Sequence, residues 1–448
     1  MWLIAAFAGV CVVAARALEV PAKMASPAFW EQNLPHWMTA LKQDPNVGSL
    51  FLQTKLKELT LVGSHHANTG EVFDNKDIIV PGDEYLKLLP RSKCVNVMLQ
   101  NQKVSVRNQL ERGVRYLDLR PFLLDDDHDL PDTPSHPNVP GTRYLVEHHS
   151  VRCTRIDVLM QQVREFLIEN PREVIFLEAQ FACTSNAQIS LERCASHVQA
   201  LLESVQLHLP QEWLATKSDL VASPADTTLE HLESKGHKLM FWFDRYQRTA
   251  EALPSLKQVD YIFDMDDVMY DNYDTVVAHS SLDNIMEHTV SWHVRHWAST
   301  PSVVLKAQHF KKLLYDEFDW CRTRKGRDAL DRANHGLHML LTTEWMRDIE
   351  QWMKGGFFLV DRIRTEQVET TAMLSMAPML NLLRVLSCLP AEFQGTSGST
   401  GVVDTIDTSA PEYRRMLDLM LRHLADSFEN ATSDLSWHQL VHDLVSEF

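Results

Sequence analysis

The sequence predicts an α/β protein built on a closed (β/α)8 barrel of the TIM type, with additional helices before and after it. Eight short β-rich runs alternate with amphipathic stretches whose apolar residues recur at helical spacing. Many of these runs are continuously apolar, as expected of strands that are covered on both faces. The sequence contains no Gly-rich dinucleotide-binding turn, which disfavours the competing architecture, a doubly wound open sheet.

The chain divides into four predicted segments: a signal peptide over 1–17, an N-terminal helical segment over 18–57, the barrel over 58–393, and a linker with C-terminal helices over 394–448. The candidate strands of the barrel are 58–63, 114–120, 144–149, 173–180, 238–244, 261–264, 337–342 and 357–361. The candidate helices between them are 158–169, 191–205 and 348–353. The linker is assigned because residues 394–411 are rich in Ser, Thr and Gly.

The N-terminus has the pattern of a secretory signal. Residues 2–15 are uncharged and largely apolar, and Ala15-Arg16-Ala17 fits a cleavage site for signal peptidase. The apolar run is too short to span a bilayer comfortably, so a cleaved signal is favoured over an uncleaved anchor. The sequence therefore predicts a secreted, extracellular protein.

The cysteines agree with secretion. Of the seven Cys, Cys11 would leave with the signal, and the remaining six are an even number suited to disulfide bonds. Spacing does not fix their pairing, although Cys183 and Cys194 are the first candidates because they flank a short predicted loop. The sequon at Asn430 is compatible with a glycoprotein.

The charge balance excludes one class of partner. Lys and Arg total 43 against 60 Asp and Glu, a net charge of −17, whereas proteins that bind nucleic acid carry a basic surface. This charge also gives no long-range attraction to anionic lipid, so contact with a membrane surface would be transient and local.

Polar residues gather where the candidate strands end, which in a (β/α) barrel is where catalytic groups lie. They are His65 and His66 after the first strand, Asp118 and Arg120 in the second, His148 and His149 at the end of the third, and Asp361 at the last. Two imidazoles, a carboxylate and a guanidinium suit phosphodiester cleavage. One imidazole can accept a proton and the other donate one, while a guanidinium stabilises the phosphate charge.

Three segments resemble the X-domain of the phosphatidylinositol-specific phospholipase C family: 59–65 (LTLVGSH), 109–120 (QLERGVRYLDLR) and 170–175 (NPREVI). Two more are similar to later parts of that family: 270–273 (YDNY) to an inositol-contacting segment, and 358–361 (FLVD) to the last barrel strand. The similarity is greater to the bacterial and X-domain-only members than to the multidomain signalling enzymes.

The resemblance implies a role for each matched residue. His65 would be the general base on the inositol 2-hydroxyl, which attacks its own phosphate to give a cyclic phosphate and diacylglycerol. Asp361 would hold His65 in the correct tautomer, and His149 would be the general acid for the leaving glycerol oxygen. Arg120 would bind the phosphate, with Asp118 beside the acid or the arginine.

The resemblance also implies how substrate is recognised. Asp271 and Tyr273 would contact the inositol ring, and Arg245, or its neighbour Asp244, would bind an inositol hydroxyl or a phosphate. Glu178 would line the pocket or take part in a buried ion pair. Calcium-dependent members carry a carboxylate at the position of Arg120, so its guanidinium predicts catalysis without a metal or other cofactor.

His66 departs from the family pattern, which has Asp or Asn after the first catalytic histidine. It would serve as a further cation near the phosphate or as a metal ligand beside Asp118. The departure leaves two alternatives to a phospholipase. One is a catalytically impaired barrel that binds inositol lipid or sugar phosphate. The other is a metal-dependent hydrolase, disfavoured because adjacent residues of a strand point in opposite directions.

Overall fold

A parallel β-sheet forms the centre of the protein, seen here in a computed structural model. The structure describes residues 24, 27–70, 102–119, 122–123, 144–147, 151–180, 191–221, 223–244, 246–267, 270–271, 303–306, 356–360, 377–379, 381–382 and 385. In chain order the strands are β1 Thr60–Ser64, β2 Tyr116–Leu119, β3 Phe122–Leu123, β4 Tyr144–Glu147, β5 Val151–Arg155, β6 Ile175–Gln180, β7 Leu239–Asp244, β8 Ile262–Asp264, β9 Tyr270–Asp271, β10 Val303–Lys306 and β11 Gly356–Val360.

Eight of these strands pair in the order β8-β7-β6-β2-β1-β11-β10-β9, and every pair is parallel. The predicted α/β class with a parallel sheet is therefore confirmed. The first and last strands along the chain, β1 and β11, lie side by side, so the order is a cyclic permutation of the chain order. A pairing of β8 with β9 would close the barrel, and it is not among the strand pairs that the structure describes.

The third predicted strand, 144–149, is present as β4 over its described part, but its predicted place in the barrel is wrong. Its described part, β4, instead pairs antiparallel with β3 and β5 in a separate three-stranded sheet. Only residues 148–150 separate β4 from β5. A link this short suits an antiparallel hairpin, whereas a parallel neighbour needs a crossover of about a dozen residues or more. The strands β9 and β10 of the large sheet were not predicted, and the predicted strand 337–342 lies outside the described residues.

The described helices are α1 Pro27–Asn33, α2 Trp37–Gln43, α3 Gly48–Leu52, α4 Val106–Glu111, α5 Ile156–Glu169, α6 Leu191–His208, α7 Leu229–Lys235 and α8 Tyr246–Ala252. Predicted helices 158–169 and 191–205 correspond to α5 and α6. The buried residues of α5 recur every three or four positions because one face packs inward. The predicted helix 348–353 and the helices predicted near the C-terminus lie outside the described residues. No helix within the described ranges is long and apolar enough to cross a bilayer.

The N-terminal helices α1 to α3 pack against side chains that point inward from the sheet. Trp37 and Phe51 share one buried apolar cluster with Tyr116, Phe176 and Trp242. Tyr116 and Trp242 each lie two residues before a carboxylate on the same face of their own strand, Asp118 on β2 and Asp244 on β7. The polar side chains that the sheet carries on this face lie nearer the carboxyl ends of the strands.

Candidate active site

The first strand delivers two histidines to the carboxyl end of the sheet. All five residues of β1 are buried, and the chain then turns into a short 3-10 helix, Ala67–Thr69. His66 begins this turn in the left-handed conformation, with φ 48° and ψ 56°. For a residue other than glycine this conformation costs about 1–2 kcal/mol, and such strain concentrates at functional sites.

Hydrogen bonds hold the strained turn in place. The Thr69 hydroxyl donates to the carbonyl oxygen of His66 at 2.8 Å. The Gln102 side chain donates through Nε2 to the carbonyl oxygen of His65 at 2.7 Å. Gln102 is itself fixed, because its backbone N–H donates to the Thr69 hydroxyl at 2.9 Å. Gln102, which lies 37 residues after His65, thus holds His65 directly and His66 through Thr69.

The left-handed turn brings the two imidazoles together. The ring centroids of His65 and His66 lie 3.8 Å apart, with 38° between the ring planes. The expectation that adjacent histidines point in opposite directions is therefore wrong here. It assumed extended backbone at both residues, and His66 is not extended.

The second strand places a carboxylate beside His65. Ser64 is the register partner of Leu117. The residues that follow them, His65 and Asp118, therefore lie side by side at the carboxyl ends of β1 and β2. His65 Nε2 and Asp118 Oδ2 are 3.9 Å apart, and both side chains are almost completely excluded from solvent. The separation of these two atoms is too long for a hydrogen bond but short enough for a direct electrostatic interaction.

A second buried carboxylate, that of Glu178, lies beside Asp118. Together they begin a row of polar side chains that crosses neighbouring strands, called the polar row below. Glu178 on β6 is the register partner of Asp118, so both side chains emerge on the same face of the sheet. The Tyr116 hydroxyl donates a hydrogen bond to Glu178 Oε2, and both residues are buried. On its other side Glu178 is level with Trp242 of β7. The Tyr116 hydroxyl and the neighbouring Trp242 thus contribute to the position of this carboxylate.

The row extends to the ends of β6 and β7. Gln180 is the register partner of Asp244, and its side-chain amide donates to Asp244 Oδ2. Gln102, Tyr116 and Gln180 were missed by sequence reasoning. Gln180 carries the signal that could have found it, since it lies two residues beyond Glu178 and therefore on the same face of the strand.

The structure brings together four of the ten predicted site residues: His65, His66, Asp118 and Glu178. Asp271 is described as the last residue of β9, where it pairs with Val304. The other predicted residues, Arg120, His149, Tyr273, Arg245 and Asp361, lie outside the described residues, and their placement stays a prediction.

Three of the four assembled residues also form a potential ligand set. His65, His66 and Asp118 are buried, and each offers one ligand atom such that all three atoms lie within 4.8 Å of one another. Two imidazole nitrogens and a carboxylate oxygen suit a divalent transition metal such as Zn²⁺. The arrangement can therefore either exchange protons or hold a metal ion.

No protein-family model matches the chain, and no curated protein sequence does. Among solved structures, the chain is similar to the phosphatidylinositol-specific phospholipase C of Listeria monocytogenes. The TM-score is 0.44 and the identity 12%, covering 77% of this chain and 98% of that one. It is also similar to the F249X mutant of the phosphatidylinositol-specific phospholipase C of Staphylococcus aureus. There the TM-score is 0.40 and the identity 14%, over 78% of this chain and 99% of that one.

Proposed function

We propose that this protein is a phosphodiesterase that cleaves phosphatidylinositol or a related inositol phospholipid by metal-independent acid–base catalysis. The observation that carries the proposal is the buried pair of His65 and Asp118, with His66 packed against it, at the carboxyl end of a parallel sheet. A buried carboxylate near an imidazole is the arrangement that lets a histidine accept a proton during a reaction.

In the proposed reaction, His65 removes the proton from the inositol 2-hydroxyl. The freed oxygen attacks the phosphorus, forming the cyclic phosphate, while the bond from phosphorus to the glycerol oxygen breaks. His149 donates a proton to that oxygen and diacylglycerol leaves. Arg120 binds the phosphate oxygens, and Asp361 orients the His65 ring.

The geometry of the described residues supports the charge changes in this scheme. When His65 gains the proton it becomes an imidazolium, and Asp118, 3.9 Å away in a site closed to solvent, stabilises that positive charge. His66 lies against the His65 ring at 3.8 Å and so restricts its rotation. Restricting the base to one orientation lowers the entropic cost of reaching the transition state.

The polar row along the sheet supports recognition of a polyhydroxylated ring. Ionised carboxylates accept hydrogen bonds from hydroxyl groups, and Glu178 and Asp244 supply two carboxylates on the face that carries Asp118. We assign Asp271, Tyr273 and Arg245 to the same ring or to its phosphate, as the resemblance implies.

The finer features of fold and location belong to the same proposal. A pairing of β8 with β9 would complete the (β/α)8 barrel. Cleavage after Ala17, disulfide bonds and glycosylation at Asn430 would accompany secretion, and the enzyme would then meet its lipid transiently at a membrane surface.

The test is turnover of phosphatidylinositol vesicles by the purified chain in the presence of a metal chelator. We expect release of cyclic inositol phosphate by the wild type and a loss of about 10²- to 10⁴-fold in His65→Gln, the contribution typical of a general base. His231→Gln is the matched control, because His231 lies on α7, far along the chain from the site, and its ring contacts the carbonyl oxygen of Asp219.

Three results would contradict the proposal. A wild-type protein that binds the vesicles without releasing product would favour the non-catalytic binding protein. Product that disappears on chelation would favour the metal-dependent hydrolase. Turnover that survives in His65→Gln would remove the role given to that residue.

A further inference from the structure

We propose that His65, His66 and Asp118 form a binding site for a divalent transition-metal ion, and that the bound ion inhibits the enzyme. The inhibitory part rests on the proposed function, since it requires His65 to be the general base. The binding part rests on the geometry of the three side chains alone.

The distances fit an ion shared by the three residues. In a tetrahedral zinc site, metal–ligand bonds of 2.0–2.2 Å put neighbouring ligand atoms about 3.3 Å apart. His65 Nε2 and Asp118 Oδ2 are 3.9 Å apart, and all three ligand atoms lie within 4.8 Å of one another. Small side-chain rotations that draw these atoms inward by a few tenths of an ångström to about 1 Å would complete the first coordination sphere.

The backbone prepares this geometry. Two histidines adjacent in sequence cannot chelate one ion from an extended strand, because their side chains leave opposite faces. The left-handed conformation of His66 removes that obstacle and sets the rings 3.8 Å apart. The hydrogen bonds from Gln102 and Thr69 to the two histidine carbonyls keep the turn in this conformation before any ion arrives.

The ligand set selects the class of ion. Two imidazoles and one carboxylate favour Zn²⁺, Co²⁺ or Cu²⁺, whereas Mg²⁺ and Ca²⁺ prefer oxygen ligands. The Asp118 carboxylate compensates part of the charge of the ion in a site that is closed to solvent. The three protein ligands leave a fourth tetrahedral position for water or another oxygen ligand.

Inhibition follows from competition for one lone pair. The nitrogen that faces Asp118 is His65 Nε2, and a metal bound there occupies the electron pair that would accept the proton of the inositol hydroxyl. The metal-bound and catalytically competent states would therefore exclude each other. Removing the ion with a chelator would restore turnover without any covalent change.

The test is a titration of the chelator-treated full chain with Co²⁺, whose visible absorption reports the coordination sphere without any substrate. We expect one equivalent of Co²⁺ to give intense absorption bands of a low-coordinate site and Zn²⁺ to remove them. His66→Gln and Asp118→Asn each remove one ligand and should weaken binding by about tenfold or more. His231→Gln, at a histidine outside the cluster, should bind like the wild type.

Thermal unfolding of each variant distinguishes a variant that has lost the metal site from one that fails to fold. Zn²⁺ should raise the midpoint of the wild type and of His231→Gln, because a ligand of the folded state stabilises it, and should raise the midpoints of the two site variants less. Absence of the Co²⁺ bands in the folded wild type, or unchanged bands in both folded site variants, would overturn the site.

Turnover with and without Zn²⁺ then separates the two proposals. Activity that is present in chelator and falls with Zn²⁺ supports both. Activity unaffected by bound Zn²⁺ overturns inhibition alone. Activity that requires Zn²⁺, or no activity under any condition, overturns the metal-independent function, while the Co²⁺ spectrum still decides whether the site exists.

Discussion

Two buried clusters of charged residues lie at opposite ends of the same strands, and they differ in the distance between their charged groups. At the amino end, Arg115 and Glu173 form an ion pair at 2.8 Å with both side chains fully buried. The remaining donors of Arg115 reach the carbonyl oxygens of Leu34, Pro35, Leu110 and Val114. Glu173 also accepts hydrogen bonds from the backbone N–H of Met38 and Thr39 and from the Thr39 hydroxyl.

The cluster at the carboxyl end is spaced more loosely. His65 and Asp118 are 3.9 Å apart, beyond hydrogen-bond distance, and His66 carries backbone strain. The cluster of Arg115 and Glu173 links the N-terminal helices to the sheet through hydrogen bonds to Leu34, Pro35, Met38 and Thr39. At the carboxyl end, His65, His66 and Asp118 each offer a ligand atom, and these atoms lie within 4.8 Å of one another, as the proposed metal site requires. The amino-end cluster thus contributes to stability, whereas the carboxyl-end cluster carries the chemistry in the function that we propose.

The largest expected effect on stability is at the amino end. Glu173→Gln would leave the Arg115 guanidinium buried without its counter-charge, and burial already lowers the pKa of Arg115 against the opposing effect of Glu173. We expect a loss of about 3–5 kcal/mol in the free energy of unfolding, measured by urea denaturation. Turnover per folded molecule should be unchanged.

Glu169→Gln is the matched control, because Glu169 forms an exposed ion pair with Arg107. Its effect on stability should be small, because solvent screens an exposed ion pair. If Glu173→Gln were no more destabilising than this control, the amino-end cluster would not have the role given to it.

At the carboxyl end the order of effects should reverse. Asp118→Asn removes the charge that stabilises protonated His65 but preserves the volume of the side chain. We expect turnover in chelator to fall by about 10²-fold or more, while the free energy of unfolding changes much less than in Glu173→Gln. Steady-state kinetics and urea denaturation on the same preparation measure both. A variant that loses stability and keeps its turnover would refute the contrast.

Tyr116→Phe tests the link between the two ends, because Tyr116 packs in the apolar cluster and its hydroxyl binds Glu178. Deleting the hydroxyl withdraws a buried hydrogen bond to a carboxylate, so we expect a loss of about 1–3 kcal/mol by urea denaturation. Tyr261→Phe is the control, since its hydroxyl meets the exposed Gln206 side chain at 3.4 Å. An equal effect in both variants would contradict the role given to the buried hydroxyl.

The smallest expected effect concerns an exposed group. Hydrogen bonds from Lys57, Ser223 and Lys55 hold the pKa of Asp226 well below its usual range. Because the folded-state pKa is depressed, the stabilisation is complete above the unfolded pKa of about 3.9 and is lost as the pH falls below it. Asp226→Asn should therefore cost less than about 1 kcal/mol at pH 7, and the difference from wild type should shrink in acid. A difference that grew in acid would contradict this sign.

Sequence reasoning located strands where burial on both faces makes a run continuously apolar, as in β6 and β7. It misassigned β4 because Tyr144–Glu147 reads as a strand in either kind of sheet, and only the short link to β5 identifies the hairpin. It named His65, His66, Asp118 and Glu178 because each stands at the end of such a run. It did not predict the left-handed backbone of His66, since that conformation depends on hydrogen bonds from Thr69 and from the distant Gln102.

The measurement that tests the central claim most directly is a ³¹P NMR time course of phosphatidylinositol cleavage in the presence of chelator. If His65 activates the inositol hydroxyl, the first phosphorus-containing product is the cyclic phosphodiester, and any open monoester appears only after it. Inositol monophosphate formed from the start, without a cyclic precursor, would mean that water attacks the phosphorus directly and would contradict the account.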